Sequence, residues 1–248
     1  MNEPVARRDV FPRIAACGDC ALAIEFAEHI DEAVNARVIA LATALADCPI
    51  AGIEEMVPTY RSLMVLYDPE IVSGRVLRQT LATRLAGLAV GRTPLRRFRV
   101  PVLYGGAAGL DLAELAAMKN MTPADLIEMH ASADYRVYMI GFAPGFVYLG
   151  GVPEALHTPR LPQPRQHIAA GSIGLGGQQA SINSVPGPSG WRFLGRTPVR
   201  VFDPARPQPF LLRAGDRVRF QPISLEEATR LDVAVAAGEI GMTAEGAL

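Results

Sequence analysis

Lysine is almost missing from this chain: of its 24 basic residues only Lys119 is not arginine. That alone removes a P-loop, which needs a lysine directly after G-x-x-x-x-G, because Lys119 follows Met118 in a helical pattern. Cysteine is scarce as well. Cys17, Cys20 and Cys48 are an odd set, and Cys17-Gly18-Asp19-Cys20 has no second pair at zinc-ligand spacing, so it reads as a turn that opens a strand. His29, His130, His157 and His167 form no H-E-x-x-H pair, and no metal site is expected. Gly174-Leu175-Gly176-Gly177 lacks the third glycine of a dinucleotide fingerprint, and the Ser172 segment lacks the first glycine of a nucleophile elbow. Aromatics are 6% of the 248 residues, so a chain that is 50% hydrophobic must build its core from Ala, Val, Leu and Ile. The longest charge-free stretch, residues 166–191, is broken by Gly, Gln, Ser and Pro, which excludes a membrane span there. Glu3, Arg7, Arg8, Asp9 and Arg13 have no apolar run behind them, so no signal peptide, a cytoplasmic location and no membrane partner are expected.

A net charge of −1 argues against a nucleic-acid binder, but the charge is unevenly spread. Residues 1–92 hold 9 basic and 12 acidic side chains, residues 93–223 hold 14 and 8, and residues 224–248 hold 1 and 5. The middle of the chain is basic, and its cations are planar forks suited to carboxylate or phosphate.

Periodicity divides the chain. Residues 21–26 read as a strand and 31–46 as a helix, with Asp31 as N-cap and Val34, Val38, Leu41 and Leu45 on one face. Strands over 53–57 and 63–67, a helix over 72–88 and a strand over 97–103 complete a β-α-β-β-α-β order, the ferredoxin-like arrangement. Two short helices follow, 110–118 and 123–130, the second capped by Thr122 with Pro123 at its first position. Residues 141–209 then contain 11 Gly and 11 Pro, and the β-branched runs 137–140, 199–202 and 218–220 around these breakers predict a β-barrel with long loops. A last helix over 224–237 precedes a loose tail. The expected architecture is an α+β ferredoxin-like domain over 1–92, a β-barrel domain over 93–223, and a C-terminal helix and tail over 224–248.

Several loop residues suggest a pocket. Phe142 and Phe146 stand in Gly141-Phe142-Ala143-Pro144-Gly145-Phe146, where glycines bring backbone N–H groups close to a ligand or simply make a tight turn over core aromatics. Arg160 and Arg165 sit among prolines that hold guanidiniums in place, or lie in a solvated loop. His130 ends a helix, a position that suits capping or acid–base work. Trp191, the only tryptophan, reads as core.

Gly18-Asp19-Cys20-Ala21-Leu22, Gly52-Ile53-Glu54-Glu55-Met56-Val57-Pro58, Gly141 to Leu149, Pro159-Arg160 with Pro164-Arg165, Ala170-Gly171-Ser172, Gly190-Trp191 and Gly195-Arg196-Thr197-Pro198 together resemble a known family. The family is that of the 5-oxoprolinase B subunit, also called allophanate hydrolase subunit 1 or the sporulation kinase inhibitor KipI. The similarity runs from about Arg13 to Ile223. It implies a cyclophilin-like barrel after the α+β domain, and a part in opening the lactam of 5-oxo-L-proline to L-glutamate with ATP and Mg2+ supplied at the level of a complex. It also implies the C and A subunits of 5-oxoprolinase as partners, and no activity for the isolated chain. Where many members read Ile-Tyr-Pro and Ser-Pro-Gly-Gly-Trp, this chain has Asn183 and Ser189, a difference that bears on the substrate.

His130, Arg160 and Arg165 are the expected catalytic residues, and Phe142, Phe146, Gly171, Ser172, Gln178, Asn183 and Arg196 the expected binding residues for a small anionic amide. Residues 136–219 hold 10 arginines against Glu154, Asp203 and Asp216, so Arg160, Arg165 and Arg196 are expected to converge on one anion pocket. Alternatives stay open: a KipI-like inhibitor of a sensor histidine kinase, a carboxyltransferase-type component for another amide such as urea, and, by fold analogy alone, a prolyl isomerase.

Overall fold

The computed structural model describes residues 10–91, 96–239 and 242–245; the first nine residues and the expected boundary at 92/93 lie outside these. The chain divides into two units, Met1–Thr93 and Pro94–Leu248.

In the first unit β1 (Arg13–Ala16), β2 (Ala21–Glu25), α1 (Glu32–Asp47), β3 (Ile53–Pro58), β4 (Ser62–Tyr67) and α2 (Gly74–Ala86) follow one another. The sheet order is β1-β2-β4-β3, antiparallel throughout. Asp31 caps α1 by accepting from the Ala33 and Val34 N–H groups, and Val38, Leu41 and Leu45 bury the helix against Leu22, Ile24, Leu63 and Val65. The ferredoxin-like order needs correction at its closing strand. Residues 97–103 do not join this sheet, and the edge beside β2 is taken by β1, which precedes it in the chain. Helix α2 is also shorter than expected and turns Val76 outward, 44% exposed, while Leu77 and Leu81 are buried.

The second unit contains β5 (Arg97–Tyr104), α3 (Leu112–Met118), α4 (Pro123–Ser132), β6 (Tyr135–Ile140), β7 (Val147–Gly150), β8 (Arg165–Ile168), β9 (Ser172–Gly176) and β10 (Gln179–Ile182). It continues with β11 (Gly187–Ser189), β12 (Arg192–Arg196), β13 (Arg217–Pro222), α5 (Leu225–Ala236) and β14 (Thr243–Glu245). Seven strands in the order β12-β9-β10-β7-β6-β13-β5 close into a barrel, because β5 pairs back onto β12. Every pairing is antiparallel except β13 with β5, which run parallel in register from Arg217↔Arg97 to Pro222↔Val102. Alternation sends Val137, Val147, Leu149, Ile173, Leu175 and Ile182 inward. Helix α4 begins with a capping box between Thr122 and Asp125 and packs on β13.

Two expectations fail here. Residues 199–202 form no named strand, only a bridge from Phe202 to Phe210. The tail is not loose throughout, since β14 adds to β5 opposite Arg97, Phe98 and Arg99.

Candidate functional site

The outer face of the barrel over β7, β10, β9 and β12 is laid out in rows. Tyr148, Ser181, Gly174 and Phe193 are register partners across the four strands. The row beside it brings Asn183 next to Ser172, to whose carbonyl it donates its N–H (2.9 Å), and sets Ser172 opposite Arg196. Glycine in β9 lets large rings lie flat: a Cβ on Gly174 would meet the Phe193 ring at 3.0 Å, and one on Gly176 would meet the Trp191 ring at 2.9 Å. A two-stranded ribbon, β8 with β11, stands beside this face.

Between ribbon and barrel lies a cleft of about 330 Å³. Phe142, Phe146, Tyr148 and Trp191 form its aromatic side, and Leu161, Pro164, Pro188 and Ser189 belong to its other wall, with Arg160 at the edge. The Arg160 guanidinium sits 5.0 Å over the Trp191 ring. Burial pushes the Tyr148 hydroxyl pKa up, partly offset by the positive charge of Arg160. Phe146 packs edge-on to Trp191, and Phe142 edge-on to Phe146. Phe142 is 74% exposed and held at φ +66°, a conformation that costs a non-glycine residue about 1–3 kcal/mol.

The expected convergence of three arginines is not what the structure shows. Arg165 makes a two-point ion pair with Asp111 (2.9 and 2.5 Å), a carboxylate only 1% exposed that also accepts the Phe193 N–H at 2.7 Å. Arg196 is bound the same way to Asp232 on α5 (2.9 and 2.7 Å). These pairs raise both guanidinium pKa values, chiefly through the hydrogen bonds donated to the carboxylates. Arg192 pairs with Glu114 at 2.9 Å. The partners Asp111, Glu114 and Asp232 all lie outside residues 136–219, so a charge count over that segment did not include them. Among the described residues Arg160 is the one arginine that lines the cleft, and it makes no ion pair; Arg165, Arg192 and Arg196 do not line it.

His130 is a further correction. It is fully buried in the second unit, stacked on Phe220 (centroids 4.8 Å, 16°), with the Tyr104 hydroxyl 2.7 Å from Nδ1 and, among the described residues, no partner for Nε2. Burial lowers its pKa from 6.5 to about 3, so it is neutral near pH 7 and does not line the cleft. Gly171 offers no spare backbone donor: its N–H goes to the Asn183 carbonyl and its own carbonyl accepts from Thr197. A Cβ there would lie 2.4 Å from the Thr197 carbonyl oxygen, and φ is +78°. Gln178 is exposed in the β9–β10 turn, and Ser172 and Asn183 are buried and do not line the cleft. Tyr148, Leu161, Pro164, Pro188 and Gly190 were missed as lining residues, and Trp191, read as core, is only 5% exposed but also forms a wall of the cleft. The period-2 alternation around Val147 is the sequence signal that places Tyr148 outward.

Among the described residues no group of three or more His, Cys, Asp and Glu side chains could hold a metal ion, and no helix is long and apolar enough to cross a membrane.

Residues 12–212 match the family described as carboxyltransferase domain, subdomain C and D. The chain is 39% identical to the 5-oxoprolinase B subunit of Bacillus subtilis over 86% of this chain and 93% of that one. It is 44% identical to the 5-oxoprolinase B subunit of Haemophilus influenzae over 68% and 78%. The solved structure of TTHA0988 is 39% identical with a TM-score of 0.74; it covers 82% of this chain, which spans about 40% of that longer one. On the extent of these matches, the chain belongs to the carboxyltransferase subdomain C and D family that includes the 5-oxoprolinase B subunit.

Proposed function

We propose that the chain is the B subunit of an ATP-dependent 5-oxoprolinase, acting with the A and C subunits to open 5-oxo-L-proline to L-glutamate, and inactive by itself. The observation that carries this reading is the aromatic cleft with one uncommitted guanidinium, on a chain whose bacterial relatives are named for that enzyme. The second unit is read as the cyclophilin-like barrel of that family.

Arg160 forks onto the substrate carboxylate, and the Trp191 face beneath it restricts the guanidinium to orientations useful for binding. The lactam ring packs between Phe146, Tyr148 and Trp191, where exclusion of water strengthens each polar contact with the amide. Arg165 acts as a positioning residue: through Asp111 it ties the start of β8, and with it Pro164, to the backbone of β12 at Phe193.

ATP and Mg2+ do not fit this cleft as its residues stand, because among the described residues no side chain lining it is a carboxylate able to ligate the metal. No step through the nucleotide is assigned to these residues.

Trp191 supplies a direct test, being the only tryptophan and part of the cleft. Titration with 5-oxo-L-proline should change its fluorescence saturably, 2-pyrrolidinone, which lacks the carboxylate, should do so far more weakly, and Arg160→Gln should remove the difference. Equal responses to both compounds would contradict the role given to Arg160.

A further inference from the structure

The loop between β6 and β7, residues 141–146, holds an exposed aromatic ring on a strained backbone. The Ala143 N–H donates to the Gly141 carbonyl at 2.8 Å, which makes Phe142 the central residue of a γ-turn. With φ at +66° this is the form of that turn that is rare and strained. Among the described residues Asn120 is the other non-glycine residue at positive φ, and asparagine adopts that region more readily than phenylalanine.

The surroundings hold the loop in this shape. Its ends are joined by the Gly141 N–H to the Phe146 carbonyl at 3.1 Å, and the Phe146 N–H donates to the Ala143 carbonyl at 3.0 Å. The Ser184 hydroxyl donates to the Pro144 carbonyl at 2.6 Å. Gly145 lies so close to Phe202 that a Cβ there would stand 2.3 Å from the Phe202 Cβ. Strain persists where neighbours over-determine it in this way, and such places cluster at ligand clamps. The ring itself gains little from being held there. Phe142 meets Phe146 edge-on at 5.6 Å but stays 74% exposed, whereas Phe146 and Trp191 are 4% and 5% exposed. A large apolar side chain left in water forgoes the stabilisation of burial, and Phe142 recovers it only when something enters the cleft that it lines.

We infer that Phe142 is a specificity-determining contact, which packs on the closed ring of the bound lactam and distinguishes it from the ring-opened product. This rests on the reading of the cleft as the 5-oxoproline site. Phe146, Tyr148 and Trp191 supply the inner aromatic surfaces, and Phe142 covers the ring from the mouth. The lactam presents methylenes and an uncharged amide to that cover, so little hydration is lost. L-glutamate presents an ammonium and a second carboxylate instead, and an aromatic cover strips both of water without pairing them. The same contact therefore holds the substrate and favours release of the product. Arg160 reads the carboxylate that both compounds carry, so the two residues divide the recognition between charge and ring.

The test is calorimetric titration of the full chain with 5-oxo-L-proline and with L-glutamate, in the parent and in Phe142→Ala, Phe142→Gly and Phe142→Tyr. The parent should prefer the lactam. The Ala and Gly variants both remove the ring and should weaken 5-oxo-L-proline about tenfold while changing L-glutamate less than about twofold. The Tyr variant, whose hydroxyl an exposed position accommodates, should restore the parent affinity. Melting temperatures without ligand read the strain separately: Phe142→Gly should melt above Phe142→Ala, because only glycine is at ease at positive φ. The inference is overturned if the parent binds 5-oxo-L-proline and the Ala and Gly variants bind it equally well, if both compounds weaken alike, or if the parent binds L-glutamate as tightly as the lactam. It is also overturned if Phe142→Ala leaves the titration unchanged and instead weakens association with the C counterpart, which would make Phe142 a subunit contact. Failure of the 5-oxoproline reading is a different result: the parent itself shows no binding of 5-oxo-L-proline, and the inference falls with it.

Discussion

Acid should destabilise the second unit through His130. The buried ring has Nδ1 facing the Tyr104 hydroxyl and, among the described residues, no partner at Nε2, so the protonated ring would hold a charge out of water and an Nε2–H with nothing to accept it. Its pKa falls from 6.5 to about 3 on folding, so the unfolded chain binds the extra proton between those values. The contribution to stability is therefore full above about pH 6.5 and is lost as pH falls toward 3. Linkage puts the whole effect at about 5 kcal/mol and the loss between pH 8 and pH 5 at about 2 kcal/mol. For a domain of this size that is about 4–8 °C in melting temperature. Differential scanning calorimetry of the parent and His130→Phe at both pH values reads it directly. The variant keeps a ring to stack on Phe220 but loses the Tyr104 partner, so it should be less stable at pH 8 yet lose about 4–8 °C less on acidification. Equal losses in both proteins would refute the reasoning and return His130 to consideration as a group that titrates near neutrality.

Arg165→Gln should cost about 2–4 kcal/mol by urea unfolding, because it strands the buried Asp111 carboxylate, whereas Arg196→Gln, whose partner Asp232 is 44% exposed, should cost less than about 1 kcal/mol. Similar costs for the two would mean that the Asp111 pair is not the buried anchor described. Gly171→Ala should destabilise by more than about 1 kcal/mol, since the added methyl meets backbone at a positive φ; an unchanged denaturation midpoint would contradict this. Arg160→Lys keeps the charge and loses the fork, so the Trp191 fluorescence titration should show weaker 5-oxoproline binding with unchanged thermal stability.

Elements set by local rules were legible in the sequence. The Asp31 cap and the Thr122 cap with Pro123 each satisfy nearby N–H groups, so a few consecutive residues define them. The Cys17–Cys20 segment is a bend between β1 and β2 with both thiols free and exposed, in keeping with the turn reading. What a segment pairs with was not legible. Residues 97–103 read as a strand from their own pattern, but their membership of the barrel depends on β13, more than 100 positions later. The same distance problem decided the site. Arg165 finds Asp111 54 residues away and Arg196 finds Asp232 36 residues away, and no local count can show that a cation is already paired. His130 looked poised for chemistry because it ends a helix; burial by Phe220, Tyr135 and Tyr104 from separate elements removes that role.

The central claim is tested most directly by ATP-dependent release of glutamate from 5-oxo-L-proline in an assembly of this chain with its A and C counterparts. Turnover is predicted with all three, none when this chain is omitted or assayed by itself, and a raised KM with Arg160→Gln. Full turnover without this chain, or none with all three partners present, would contradict it.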